Sequence, residues 1–96
     1  MTISWSRRYI ESNPRFALTA DSTPRLRRGE QTMVYKALLP YPKTWSLEEL
    51  AERCHALRYE ERYKKTIPAE ERWLFLRKSI LYQLKDMQGN GIIREL

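Results

Sequence analysis

The side chains best suited to chemistry in this sequence are one cysteine and one histidine, Cys54 and His55, which are adjacent. A structural zinc site needs four ligands, so this single pair is too small a set. A lone cysteine also cannot form an internal disulfide, which fits a reducing compartment. We therefore interpret Cys54 as a buried apolar side chain beside a surface histidine, and we predict no metal or other cofactor.

Two pairs of adjacent glutamates, Glu48–Glu49 and Glu70–Glu71, are the next candidates for acid–base chemistry. Each pair lies where a helix is predicted to begin, and carboxylates stabilise the positive end of a helix dipole. Their positions are thus explained without catalysis. The sequence contains no glycine-rich phosphate loop, nucleophile elbow or phosphoryl-transfer motif. We predict that the protein is not an enzyme.

The net charge of +6 favours a polyanionic partner, because lysine and arginine release counterions when they neutralise phosphates. The charge is uneven: residues 1–28 carry six arginines against two acidic residues, whereas residues 29–96 hold twelve basic and ten acidic side chains. Arginine suits bidentate phosphate contacts and insertion into the minor groove. We interpret residues 1–27 as a basic arm that contacts nucleic acid, with a solvated tail as the alternative.

The 96 residues are enough for one folded domain, and 42% of them are hydrophobic. No stretch approaches the roughly 18 apolar residues of a membrane span, and residues 1–11 lack the apolar segment of a signal peptide. We expect a cytoplasmic protein without a membrane partner.

The spacing of apolar residues, together with prolines and a capping motif at helix ends, predicts three helices in residues 28–96. The first covers residues 28–39, because proline cannot continue a helix past Pro40. The second begins at Ser46, where Ser46 and Glu49 form a capping box. The third runs from Pro68 to about Gln88, and residues 58–67 are either a loop or an extension of the second helix. The buried stripe of the second helix is predicted to be Leu47, Leu50, Ala51, Cys54 and Leu57.

Short strands are predicted at residues 15–19, in the last residues of an extended linker over residues 41–45, and at residues 92–96. Before the last strand, residues 89–91 read Gly-Asn-Gly, which is typical of a left-handed helix cap followed by a tight turn. The fold class is therefore mainly α, with a few short strands.

The third predicted helix has two distinct faces when each residue advances by 100°. Arg77 falls on the core-facing side, so we expect its guanidinium to reach the surface or to pair with a carboxylate. The remaining core-facing set is Trp73, Leu74, Leu76, Ile80, Leu81, Leu84 and Met87. The opposite side is a candidate reading face formed by Glu71, Arg72, Phe75, Lys78, Ser79, Tyr82, Lys85 and Asp86.

This order of elements resembles a winged helix-turn-helix domain over residues 28–96. Residues 28–34 (Arg-Gly-Glu-Gln-Thr-Met-Val) look like its first helix, and residues 46–51 (Ser-Leu-Glu-Glu-Leu-Ala) resemble its second. Leu81, Leu84, Met87, Gly89, Gly91, Ile92 and Ile93 look like the end of its recognition helix and the following strand. Two features depart from the pattern: the segment 58–67 is longer than the turn of a tight helix-turn-helix, and no strand returns after Leu96. The strand near Phe16, or a second subunit, is expected to pair in its place.

The resemblance implies a DNA-binding protein, such as a small transcriptional regulator or accessory factor, whose third helix enters the major groove of double-stranded DNA. It also implies a homodimer as one arrangement, because such proteins commonly read two half-sites. In this interpretation phosphates are contacted by the arm and by a second basic cluster, formed by Arg58, Arg62, Lys64 and Lys65. The predicted nucleic-acid contacts are Arg7, Arg8, Arg25, Arg27, Arg28, Arg62, Lys64, Lys65, Arg72, Lys78, Ser79 and Tyr82.

A rival hypothesis is a protein-interaction module on the same scaffold, within a larger assembly. Its anchors would be Trp45, Trp73, Phe75 and Tyr82, because aromatic residues are enriched in protein interfaces. A continuous positive surface favours nucleic acid, whereas an exposed apolar patch around Phe75 and Tyr82 favours a protein partner. RNA binding would share the charge argument, but no RNA-specific motif is present.

Overall fold

The computed structural model describes residues 6–20, 25–26, 29–62 and 66–96. Within these ranges the fold is mainly helical, with four α-helices and three short strands. The elements are α1 (Arg7–Glu11), β1 (Arg15–Leu18), α2 (Gly29–Ala37), β2 (Trp45–Ser46), α3 (Leu47–Ala56), α4 (Arg72–Gly89) and β3 (Ile93–Glu95), with 3₁₀ turns at Tyr59–Arg62 and Ala69–Glu71. The predicted first, second and third helices correspond to α2, α3 and α4, and α1 was not predicted. The α-helix α4 begins at Arg72 and not at Pro68, because the chain first makes the 3₁₀ turn Ala69–Glu71.

The three strands form one antiparallel sheet in the order β2-β1-β3. Phe16 of β1 lies opposite Trp45 on one side and Glu95 on the other, and Leu18 lies opposite Ile93. The expectation that the strand near Phe16 pairs with the last strand is therefore confirmed. Because β1 is the central strand, both other strands depend on it.

The N-terminal segment is part of the folded body over residues 6–18, so the predicted extended arm is wrong there. Ile10 and Phe16 are fully buried. The segment also completes the start of α3: the Asn13 side chain accepts a hydrogen bond from the Glu48 amide at 2.9 Å, and the Pro14 carbonyl accepts one from the Leu47 amide at 2.8 Å. A single turn of helix and one strand are too short to show a period in the sequence.

The predicted capping box at the start of α3 is present. The Ser46 hydroxyl accepts a hydrogen bond from the Glu49 amide at 3.2 Å, and the Glu49 carboxylate accepts one from the Ser46 amide at 2.9 Å. This amide bond is the main reason that the pKa of Glu49 lies below its ordinary value, although burial acts in the opposite direction and the hydroxyl and nearby cations add to the lowering. The buried stripe is confirmed except at Leu57, which lies after the helix and is exposed.

Replacement of Ser46 by alanine is expected to lower the free energy of unfolding by about 1 kcal/mol, because the Glu49 amide loses its acceptor at a buried helix start. Urea denaturation followed by circular dichroism measures this change. Ser12→Ala is the matched control, since the exposed Ser12 hydroxyl donates a hydrogen bond to the Tyr9 carbonyl of the neighbouring α1. Equal stability of the two variants would contradict the structural importance of the box.

The end of α4 sets the direction of β3. The Ile92 amide donates to the Met87 carbonyl at 2.9 Å, and the Gly91 amide donates to the Gln88 carbonyl at 3.0 Å. This is the hydrogen-bond pattern of a Schellman cap, which needs a left-handed residue, and Gly91 has a φ of +74°. The predicted glycine turn is confirmed, with Gly89 still inside the helix.

Residues 58–62, the described part of the linker after α3, decide between the two predicted alternatives of a loop and a helix extension. A 3₁₀ turn, Tyr59–Arg62, follows the end of α3, and Tyr59 is buried. Arg58 has a φ of +61°, so the chain changes direction before this turn instead of prolonging the helix.

Across the described part of the chain, no helix combines the length and apolar character that a bilayer crossing requires.

Candidate nucleic-acid interface

The apolar residues on one side of α4 are buried in the hydrophobic core. Their burial determines which residues of the helix face outward. Ile80, Leu81, Leu84 and Met87 are fully buried, as predicted. Opposite them lie Phe75, Lys78 and Tyr82, spaced by three and four residues, which we call the α4 outer stripe. The hydrophobic core thus presents this stripe to the exterior.

The outer stripe consists of two partly exposed aromatic rings on either side of a lysine. Tyr82 is 50% exposed and Phe75 is 37% exposed. Lys78 is partly buried and lines the groove described below. Among the described residues, neither Lys78 nor Tyr82 forms a side-chain hydrogen bond or ion pair. Their polar atoms remain available to a ligand.

Other residues of the predicted reading face are held by contacts within the protein. The Ser79 hydroxyl is hydrogen bonded to the Tyr59 hydroxyl at 2.8 Å. Asp86 accepts a hydrogen bond from the Gln31 side chain, and Lys85 forms an ion pair with Glu95 at 2.8 Å. The candidate reading face is therefore narrower than the sequence indicated.

The ion pair of Lys85 belongs to a cluster that joins α1, α4 and β3. The Tyr9 hydroxyl donates to Glu95 at 2.9 Å, beside the Lys85 bond. Burial tends to raise the pKa of Glu95, but the hydrogen bonds from Lys85 and Tyr9 and the Lys85 charge together lower it. Burial and the contact with Glu95 raise the pKa of Tyr9. The cluster holds α1 alongside α4.

Arg77 and Trp73 form a second fixed cluster at the start of α4. Arg77 is buried and pairs with Glu48 of α3, as expected for a guanidinium on the core-facing side. Its Cζ lies 4.1 Å from the centre of the Trp73 ring. Trp73 was predicted to face the core, but it is 41% exposed. Periodicity correctly placed Trp73 on the same side of the helix as Arg77. At this first turn of α4, however, the Trp73 ring is covered by the Arg77 guanidinium and not by apolar core residues.

An open groove lies between α1 and the first turns of α4. Its volume is about 470 Å³. The Arg7 Cζ lies 5.7 Å from the centre of the Trp73 ring, and Arg7 also pairs with Glu11 at 2.9 Å. The groove thus brings Arg7, predicted in a separate arm, close to Lys78. Its lining residues are Arg7, Glu70, Glu71, Trp73, Leu74, Phe75 and Lys78, which include two basic and two acidic side chains.

Sequence reasoning missed this groove because α1 was not predicted. A signal was present only for the contact between Trp73 and Arg77, which are four residues apart, the spacing at which side chains on a helix meet. Trp45, a predicted surface anchor, is buried instead, and its indole nitrogen donates to the Leu38 carbonyl at 2.8 Å.

The remaining predicted contacts are dispersed. Arg8 is exposed on α1, Arg25 is exposed before α2, and Arg72 is exposed at the start of α4 with a hydrogen bond from its Nε to the Ile67 carbonyl at 3.2 Å. Arg62 ends a 3₁₀ turn. The predicted contacts Arg27, Arg28, Lys64 and Lys65 lie outside the described residues.

The sequence matches no protein-family model, and neither the curated proteins nor the solved structures include a match. Among the described residues, no three of histidine, cysteine, aspartate and glutamate are grouped as a metal site would require.

Proposed function

We propose that this chain is a non-enzymatic DNA-binding protein, a small transcriptional regulator or accessory factor whose α4 enters the major groove. The order β2-α3-α4-β3 supports a winged-helix arrangement. In that arrangement β1, pairing between β2 and β3, takes the place of the returning strand. The α4 outer stripe is then the reading surface.

The observation that carries the proposal is the position of Lys78. It lies between two exposed aromatic rings on the face of α4 opposite the core and has no ion pair among the described residues. A lysine that forms no ion pair can bind a phosphate or a guanine edge without first breaking an internal bond. Arg7 of α1 lines the same groove and is a second basic side chain there.

The test is fluorescence anisotropy with a random-sequence DNA duplex at about 50 and 200 mM salt. We expect the full chain to bind, and its affinity to fall steeply between the two conditions because each phosphate contact releases counterions. Lys78→Ala is expected to weaken binding and to reduce the slope of log affinity against log salt by about 1.

Lys36→Ala is the matched control, because Lys36 lies in a separate groove between α2 and α3 and has the same charge. It should retain most of the affinity. Binding that is insensitive to salt, or absent at low salt, would contradict the proposal. So would equal losses for the two lysine variants.

A protein-interaction module is the second candidate, and the groove between α1 and α4 favours it. Three of the lining residues of the groove, Trp73, Leu74 and Phe75, are apolar, and its two basic and two acidic residues balance in charge. Under this hypothesis no duplex binds at low salt. A purified partner would instead lose affinity on Trp73→Ala and keep it on Tyr41→Ala, a matched exposed aromatic outside the groove.

A further inference from the structure

We propose that the α4 outer stripe recognises the 5-methyl groups of thymine in the major groove, through the rings of Phe75 and Tyr82. This inference rests on the proposed DNA binding and specifies the class of DNA, namely duplexes that contain thymine. Lys78, between the two rings, would contribute affinity and not this preference.

The spacing of the two rings fits the spacing of base pairs. Phe75 and Tyr82 are seven residues apart, which is about two turns of helix and about 10.5 Å along its axis. Both therefore point to the same side of α4. Successive base pairs rise by about 3.4 Å, so the rings can meet methyl groups about three base pairs apart.

The chemistry of the rings fits the methyl group. On the major-groove edges of the base pairs, the thymine methyl is the apolar group, and the other groups presented are hydrogen-bond donors and acceptors. Phe75 has no polar atom in its ring, and Tyr82 is half exposed. Covering a methyl with such a ring removes apolar surface from water on both sides, which is expected to strengthen binding about fourfold per methyl.

Trp73 is an aromatic residue of the same helix that should not take part. It is two residues before Phe75, so it lies about 200° around the helix from it. Its ring is flanked by the guanidinium groups of Arg77 and Arg7, at 4.1 and 5.7 Å from the ring centre. Its exposed fraction is similar to that of Phe75, which makes it a matched control.

The experiment compares binding of the full chain to alternating poly(dA-dT) and poly(dA-dU) duplexes, which differ only by the thymine methyl. We expect the poly(dA-dT) duplex to bind at least fourfold more tightly. In the double variant Phe75→Ala, Tyr82→Ala this ratio should fall to about one, while in Trp73→Ala it should be unchanged. Lys78→Ala should weaken both complexes equally. Circular dichroism checks that each variant is folded.

Each outcome bears on a different part of the argument. Equal binding of the two duplexes by the wild type would overturn methyl recognition while leaving DNA binding intact. A methyl preference that survives in the double variant would assign the recognition to other residues and also overturn the inference. Failure to bind either duplex at low salt would instead remove the proposed function on which the inference depends.

Discussion

Replacing Phe16 with alanine is expected to lower the free energy of unfolding by about 4 kcal/mol, a large part of the roughly 5–15 kcal/mol that stabilises a typical domain. Phe16 is fully buried in β1, the central strand, and pairs with Trp45 and Glu95. Its removal leaves a cavity between the sheet and the helices. Urea denaturation followed by circular dichroism measures the loss.

Arg8→Ala is the control from the same N-terminal segment, because Arg8 is exposed on α1. It should change stability by less than about 0.5 kcal/mol. A similarly small effect of Phe16→Ala would mean that residues 6–18 do form an arm outside the core. If the large loss is observed, deleting residues 1–27 would destroy the sheet, so contacts of the arginines with DNA must be tested by single substitutions.

Replacing Glu48 with glutamine is expected to lower the free energy of unfolding by about 2 kcal/mol near neutral pH, because the buried Arg77 guanidinium loses its counterion. The side chain of Arg77 is only 10% exposed, whereas that of Glu48 is 41% exposed, so water limits the effect. Denaturation curves of wild type and variant at several pH values measure both the cost and its pH dependence.

The difference in the free energy of unfolding between wild type and Glu48→Gln should become smaller at acidic pH. The hydrogen bond from Arg77 lowers the pKa of Glu48 below its ordinary value of 4.5; burial opposes this lowering and the Arg77 charge adds to it. The unfolded chain therefore takes up a proton at a higher pH than the folded protein. Stability from the pair is complete above about pH 4.5 and is lost as the pH falls through the lower pKa of the folded state.

The double variant Arg77→Met, Glu48→Gln separates a buried charge from lost packing. It should be more stable than Glu48→Gln alone, because no unpaired guanidinium remains in the interior. If the double variant is less stable, Arg77 acts mainly through its packing on Trp73. A cost of Glu48→Gln that persists unchanged to pH 3 would contradict the role of the ion pair.

Much of the α3 and α4 architecture could be predicted because its causes are local. The Ser46–Glu49 capping box, the Gly91 turn and the buried Ile80 and Leu84 follow from residues within four positions of one another. The pairing of Arg77 with a carboxylate also followed, since a guanidinium on a core-facing side needs a partner. Glu48 itself, 29 residues earlier, was not identifiable from the spacing.

The candidate interface was only partly predictable. Periodicity identified Phe75, Lys78 and Tyr82 as one outward face, and that placement agrees with their positions on α4. It could not show that Ser79 bonds to Tyr59 or that Lys85 bonds to Glu95, because these partners are distant in sequence. It also could not place Arg7 beside Trp73, since α1 contributes a single short turn.

Local sequence sufficed for the presence of the three longer helices, the capping box of α3, the Gly91 turn and the orientation of the α4 stripe, because hydrogen bonds and apolar periodicity within a helix involve near neighbours. Tertiary structure decided the rest: β1 as the central strand, burial of Ile10 and Trp45, exposure of Trp73, and the groove shared by Arg7 and Lys78. A short segment gains its stability from distant partners, so its own residues carry too little information to place it.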